Sequence, residues 1–262
     1  MISGAELLNI AIKSARTAGT IINKRINTPK RVSYKGIVDL VTDVDTLCEK
    51  TIIQVINRRF PSHSILAEEL GSVPGKSDYR WIIDPIDGTT NFYHSYPFVS
   101  VSIALEHKGI VIVGVVYDPL KKELFYATKG RGAFLNDKRL HVSSVNTIED
   151  ALLSTGFPYD IRTSSENNLD NWIKFIRRAQ AIRRDGSAAL DLCYVAAGRF
   201  DGFWEMKLKP WDVAAGSLII GEAGGTVTDF HGNKYSIYTD HIVAANPHIH
   251  HVLLDVLAHK DT

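Results

Sequence analysis

The chain has 262 residues, enough to bury a full core as one large domain or as two intimately packed lobes. Its 30 basic and 29 acidic side chains nearly cancel, so no global field draws it to nucleic acid or to a membrane surface. With 45% hydrophobic and 23% charged residues, and with its longest apolar runs (110–116, for example) too short to cross a bilayer, the composition is that of an ordinary soluble globular protein. Residues 1–6 lack the charged-then-apolar layout of a signal peptide, and Cys48 and Cys193 fall on apolar faces of predicted helices. These features predict a cytoplasmic protein with two buried free thiols.

In chain order, Leu7, Leu8, Ala11, Ala15, Ala18 and Ile22 recur at helical spacing, which predicts an amphipathic helix over 4–26. A short extended piece, 31–35, leads to Lys35-Gly36, which reads either as a mobile flap or as a solvated turn. Thr42 is an N-cap candidate for a second helix whose buried stripe runs Val44, Leu47, Cys48, Ile52, Val55, Ile56. The acids Asp43 and Asp45 in its first turn suit the helix dipole and need no other role. Residues 64–67 form a short strand ending in Glu68-Glu69, whose repulsion either solvent or a cation must absorb. A surface loop over 71–78 precedes the apolar run Trp81-Ile82-Ile83.

That run delivers Asp84-Pro85-Ile86-Asp87-Gly88-Thr89-Thr90-Asn91. Pro85 should stop the strand, since it has no N–H to give, and one sharp turn could then aim Asp84 and Asp87 into the same space. Two hard oxygen ligands beside exposed N–H groups suit Mg²⁺ with a phosphate. Beyond it, alternation over 99–105 predicts a half-buried strand, followed by strands at 110–117 and 123–128 in an antiparallel meander. The Gly-rich Lys129-Gly130-Arg131-Gly132 lacks the following Lys-Ser/Thr of a P-loop.

The second half alternates strand and helix: strands at 152–155, 181–182 and 200–204, and helices at 166–178, from Gly186-Ser187-Ala188-Ala189 to 197, and at 213–222. The small-residue helix start at Ser187 would let an anion reach free N–H groups. Arg183-Arg184 is either solvated or paired with buried acids, and Asp212 can be an N-cap aspartate. A strand at 242–245 and a helix from Pro247 close the chain, with His248, His250 and His251 reading as a polar first turn and not as a zinc set.

Asp45, Glu68, Asp84, Asp87, Glu205 and Asp212 all end strands or begin helices, the edge where α/β folds assemble sites. Carboxylates without nitrogen or sulfur ligands select Mg²⁺ or Mn²⁺ over zinc, and the chemistry of such ions is phosphate-ester hydrolysis.

Asp84-Pro85-Ile86-Asp87-Gly88-Thr89-Thr90-Asn91-Phe92 resembles the first signature of the inositol monophosphatase family, and Trp211-Asp212-Val213-Ala214-Ala215-Gly216, running on to Glu222-Ala223-Gly224-Gly225, its second. Asp39-Leu40-Val41-Thr42 with Asp45, Ala67-Glu68-Glu69, Gly186-Ser187-Ala188-Ala189 and Trp204-Glu205-Met206 follow the family pattern in order. The resemblance implies an α/β (α+β) layered αβαβα sandwich of the inositol monophosphatase/fructose-1,6-bisphosphatase type, a single domain of two lobes (about 1–145 and 146–262). It implies one Mg²⁺ on Glu68, Asp84 and the Ile86 carbonyl, a second on Asp84, Asp87 and Asp212, and a weaker third near Glu68. Thr89, paired with Asp45, would orient the attacking water, and the N–H groups of Gly88, Thr89 and Thr90 would cradle the phosphate. Glu205 and the N–H groups around Ala188 would contact the alcohol, Asp212 would assist the leaving oxygen, and Lys35 matches a mobile-loop lysine. Family members are generally dimeric, Mg²⁺-dependent and often inhibited by Li⁺, so a homodimer needing neither nucleic acid nor membrane is expected.

Inositol monophosphate is the first substrate expected; histidinol phosphate and fructose bisphosphate are the alternatives. Thr90-Asn91 stands where nucleotide-directed relatives typically carry Lys-Glu, which argues against that branch. Asp43 adds a carboxylate where the family often has a neutral residue, and Lys207 and Lys209 read as solvated lysines or as charges favouring a more anionic substrate. A binding or regulatory protein on the same fold is the reading from another class.

Overall fold

The computed structural model describes residues 3–34 and 40–258. Lys35, Gly36 and Asp39 therefore lie outside the described residues. The first half contains α1 (Gly4–Arg25), β1 (Val32–Tyr34), β2 (Leu40–Thr42), α2 (Asp43–Arg59), β3 (Ser64–Ala67), β4 (Gly71–Val73), β5 (Tyr79–Asp87) and α3 (Thr89–Tyr93). A meander follows: β6 (Ser100–His107), β7 (Ile110–Asp118), β8 (Glu123–Thr128), β9 (Ala133–Leu135) and β10 (Lys138–Arg139). The remainder is β11 (Leu152–Thr155), α4 (Leu169–Ile176), β12 (Ala181–Arg183), α5 (Ala188–Ala196), β13 (Gly202–Met206), α6 (Pro210–Glu222), β14 (Thr226–Thr228), β15 (His241–Ala245) and α7 (His250–Ala258).

Apart from the β1–β2 hairpin, these strands form two sheets: eight strands in the order β10-β9-β8-β7-β6-β5-β3-β4, and five in the order β12-β11-β13-β15-β14. The five layers follow from the period-two alternation of side chains along each strand. Trp81, Ile83, Ile103 and Val115 face one way and pack against Leu7, Ala11 and Ile22 of α1 and Val44 and Ile52 of α2. Ile82, Ala104 and Val116, the intervening residues, face the other way onto Leu190 and Leu192 of α5 and Ile219 and Ile220 of α6. The same pair of helices is covered from the far side by Phe203, Ile242 and Ala244, while Leu153, Trp204 and Val243 turn outward onto Phe175 of α4 and Leu253 of α7. The order helix, sheet, helix, sheet, helix is that of the expected αβαβα sandwich.

Several local expectations needed correction. β6 is not half-buried: Ser100, Ser102 and Ala104 are as buried as Val101 and Ile103, because α5 and α6 cover the face that alternation assigned to solvent. The serines are accommodated by bonds, Ser102 donating to the Trp211 carbonyl at 3.0 Å. Leu47, placed in the buried stripe of α2, is 44% exposed, since the stripe drifts round a straight helix and Cys48 takes the inward position. Loop 71–78 opens with β4, which pairs antiparallel with β3. α4 spans Leu169–Ile176 and is shorter than the expected 166–178. The C-terminal histidines are not all a polar first turn: His250 is buried and its Nε2 lies 3.0 Å from Thr228 Oγ1.

Close approach of α6 to the large sheet depends on Gly114, where an added Cβ would stand 2.8 Å from the Ala215 carbonyl oxygen and 3.1 Å from its Cα. Backbone on the far side cannot swing aside, so Gly114→Ala must push α6 outward. A loss of about 1–3 kcal/mol in urea-unfolding free energy is expected; an unchanged midpoint would show that the layer spacing is soft.

Candidate active site

The site is built from the end of β5. Asp84 pairs with Ser102 and Asp87 with Ser100, so three steps on β5 match two on β6, and the ladder is irregular between them. Pro85 therefore does not end the strand as expected; lacking an N–H, it makes the bulge that lets both aspartates emerge at one edge. The Ile86 N–H donates to Asp84 Oδ1 at 2.9 Å and locks the turn. Gly88 follows at φ 94°, and a side chain there would press on the carbonyls of Phe98 (3.0 Å) and Gly186 (3.1 Å). Asn91 then ties the two halves of the chain, its Nδ2 donating to the Phe98 and Asp185 carbonyls at 2.8 and 2.7 Å.

Other elements deliver the remaining acids. Asp45 is the third residue of α2, and its Oδ2 accepts the Thr42 N–H at 2.9 Å in a capping box. Its second oxygen accepts the Thr89 hydroxyl at 2.9 Å. The Ile86 carbonyl lies 3.0 Å from the same hydroxyl, so its one proton is taken by these two acceptors and its lone pairs are left for another group. Glu68 follows β3, its N–H donating to the Ile83 carbonyl at 3.2 Å. Asp212 is not the N-cap of α6; it sits in the first turn and accepts the Lys209 N–H at 2.7 Å. Glu205 lies within β13, one residue from its end.

A cavity of about 390 Å³ gathers Glu68, Asp84, Ile86, Asp87, Gly88 and Thr89 on one wall with Gly186, Ser187, Ala188, Glu205 and Asp212 on another. Asp45 stands behind Thr89 and Thr90 faces solvent, so neither lines it. The start of α5 corrects one expectation. Its donors are not open to an external anion, because Asp87 Oδ2 already accepts the Ser187 hydroxyl at 2.6 Å and the Ala189 N–H at 2.8 Å. The helix terminus thus orients a carboxylate of the site itself.

Burial raises these acids together. It pushes Asp45 and Asp87 up to about 6 against the hydrogen bonds that favour their charge. Asp84 is raised well above the ordinary carboxylate range, first by burial and then by Glu68, Asp87 and Asp212. Asp212 is raised likewise by burial and by Asp87. Glu205 reaches about 8 through burial, with the Arg184 guanidinium at the cavity wall opposing the shift. Arg184 itself is exposed, a solvated charge whose field reaches Glu205, whereas Lys207 is paired with Asp160 at 2.8 Å.

Two cavity residues escaped sequence reading. Asp191 is 2% exposed, and its Oδ1 has no hydrogen-bond partner. The available signal was an aspartate inside the otherwise apolar helix Ala188–Ala196. Gly156 had no signal at all: its bare Cα is the surface on which the Glu205 carboxylate rests, and a methyl there would overlap it.

The family model described as "Inositol monophosphatase family" matches residues 4–260. The chain belongs to the inositol monophosphatase family. It is 45% identical over 260 residues to the Nus factor SuhB of Pseudomonas aeruginosa, covering 96% of this chain and 95% of the relative. The crystal structure of the extragenic suppressor protein suhB from Bartonella henselae superposes with a TM-score of 0.92 at 40% identity, covering 97% of this chain and 99% of that one. The inositol monophosphatase from Anabaena (Nostoc) gives 0.88 at 41% identity, over 96% and 94%.

Proteins of the inositol monophosphatase family are generally metal-dependent. Among the described residues no three His, Cys, Asp or Glu side chains are drawn into a closed cation cage. The donor set nonetheless fits a hard divalent ion: Glu68, Asp84, Asp87 and Asp212 line one cavity, are oxygen donors throughout, and include two whose ionisation is opposed by the others.

Because Glu205 yields by swinging its carboxylate and not by moving backbone, Gly156→Ala should leave the fold intact. In carboxyl-¹³C NMR of the metal-free protein, Glu205 should titrate near about 8 in the wild type and fall toward the ordinary range in the variant. An unmoved titration would show that Gly156 does not seat this side chain.

Proposed function

We propose that this member of the inositol monophosphatase family hydrolyses small phosphomonoesters with Mg²⁺, and that its substrate is the phosphate ester of a polyhydroxylated alcohol such as inositol. The observation that supports this reading best is the pairing of Asp45 with Thr89 beside Asp84, Asp87, Glu68 and Asp212 at one cavity. Mg²⁺, held by Glu68, Asp84, Asp87, Asp212 and the Ile86 carbonyl, would supply Lewis-acid polarisation and lower the pKa of water. Mn²⁺ suits the same oxygen set.

The chain's own part follows from its hydrogen bonds. Asp45, mostly ionised at neutral pH, keeps the Thr89 hydroxyl pointing away from the cavity by its proton, so Thr89 would accept a bond from the attacking water and orient it. As the water oxygen bonds to phosphorus, the ester P–O bond breaks; one proton of the water stays on the phosphate and the other passes to the leaving alkoxide, with Asp212 placed to assist. Glu205, protonated at pH 7, would meet a hydroxyl of the alcohol, while Arg184 supplies the opposing charge.

The experiment is phosphate release from inositol 1-phosphate, histidinol phosphate and fructose bisphosphate with and without Mg²⁺. Release should require the metal and fall at least about a hundredfold in Asp84→Asn. No release from any ester would overturn the catalytic reading. A second reading, a binding or regulatory role, is favoured by the name Nus factor carried by the Pseudomonas relative. It predicts that the chain's function in cells survives Asp84→Asn, whereas a phosphatase role does not.

We also propose one two-lobed domain that acts in the cytoplasm as a homodimer, without need of nucleic acid. Among the described residues no helix is long and apolar enough to cross a membrane. Leu169, Ile173 and Ile176 of α4 are 44%, 43% and 47% exposed on one helix face, an apolar stripe that a second copy would cover. Light scattering should give about twice the 29.1 kDa chain mass; a monomer at micromolar concentration counts against the dimer.

A further inference from the structure

We propose that Glu49 is a positioning residue, clamping the turn after β3 so that Glu68 is held at the cavity. The inference rests on Glu68 as a metal ligand and deepens that reading. Glu49 lies one helical turn beyond Asp45 on α2 and is 3% exposed. Its Oε2 accepts the Glu69 N–H at 2.8 Å and its Oε1 the Leu70 N–H at 2.9 Å. One buried carboxylate therefore takes two successive backbone donors, in charge-assisted bonds.

Topology explains why these donors need it. Ala67 pairs with Gly71 across the β3–β4 hairpin, so residues 68–70 are the turn between the two strands. The Glu68 N–H is used on the Ile83 carbonyl of β5. The peptide before Glu68 is thus tied to β5, and the two peptides after it are tied to α2. Held on both sides by different elements, the Glu68 backbone has no freedom to carry its side chain out of the cavity. The same helix that orients Thr89 through Asp45 orients Glu68 through Glu49, four residues later.

A glutamine at this position offers one oxygen and an NH₂ group, which would face an N–H, so Glu49→Gln breaks one of the two bonds. A merely structural role predicts lower stability with unchanged cation affinity in the folded protein. Calorimetric titration with Mn²⁺ of metal-free wild type, Glu49→Gln, Glu68→Gln and the double variant separates the two. Glu49→Gln should weaken cation binding about 10–100-fold while retaining a cooperative unfolding transition. In the Glu68→Gln background it should add little further loss, because its action passes through Glu68. Should Glu49→Gln fail to fold, Glu49→Asp, which keeps the charge but shortens its reach, takes its place in the cycle. Wild-type affinity in the folded variant, or the same loss in both backgrounds, overturns the inference. A wild-type chain that binds no cation overturns the reading of the site itself, and this inference with it.

Discussion

The constraint on which this structure depends is the confinement of several carboxyl groups in one cavity out of bulk water. An isolated buried carboxylate costs several kcal/mol even after relaxation, and here Asp45, Asp84, Asp87 and Glu205 are each 8% exposed or less. The chain meets that cost in two different ways. Asp45 and Asp87 are supplied with donors: the Thr42 N–H and Thr89 hydroxyl for one, the Ser187 hydroxyl and Ala189 N–H for the other. Asp84 and Asp212 accept one backbone N–H each, from Ile86 and Lys209, and are otherwise left to repel their neighbours, which with burial raises both. The first pair is thereby oriented, and the second is biased toward its protonated form.

Geometry follows from that division. The donors that fix Asp45, Asp212 and Asp87 belong to element ends: the capping box of α2, the first turn of α6 and the start of α5. Unsatisfied N–H groups at helix starts and hairpin turns are the one resource a fold has in surplus, and they are spent here on carboxylates. The bulge at Pro85 brings the two central aspartates to the same edge, where α5 and α6 come in from the opposite half of the chain. Asn91 holds that junction closed with bonds to Phe98 and Asp185.

Order along the chain was legible in the sequence because the signals are local. Alternation and turns placed the meander, helical spacing placed α1 and α2, small residues between Pro210 and Gly224-Gly225 placed α6, and the two motifs around Asp84 and Asp212 marked the acids. Reading failed where a residue's environment is set by something distant. Burial of Ser100 and Ser102 comes from distant helices, since Ser100 meets Ser187, 87 residues away, and Ser102 meets the Trp211 carbonyl, 109 residues away. Gly156 matters only because Glu205 lies on it.

By itself, then, the sequence determined which side chains could do the chemistry and on which kinds of element they stand, since residue type and hydrophobic period are written locally. The tertiary structure alone decided their company: that Ser187 and Ala189 serve Asp87 and are not left open, that Asp191 opens onto the cavity, and that Glu49 closes on the turn beside Glu68. Those pairings join positions 20 to 102 residues apart. No local pattern encodes them, because packing between layers sets which ends meet.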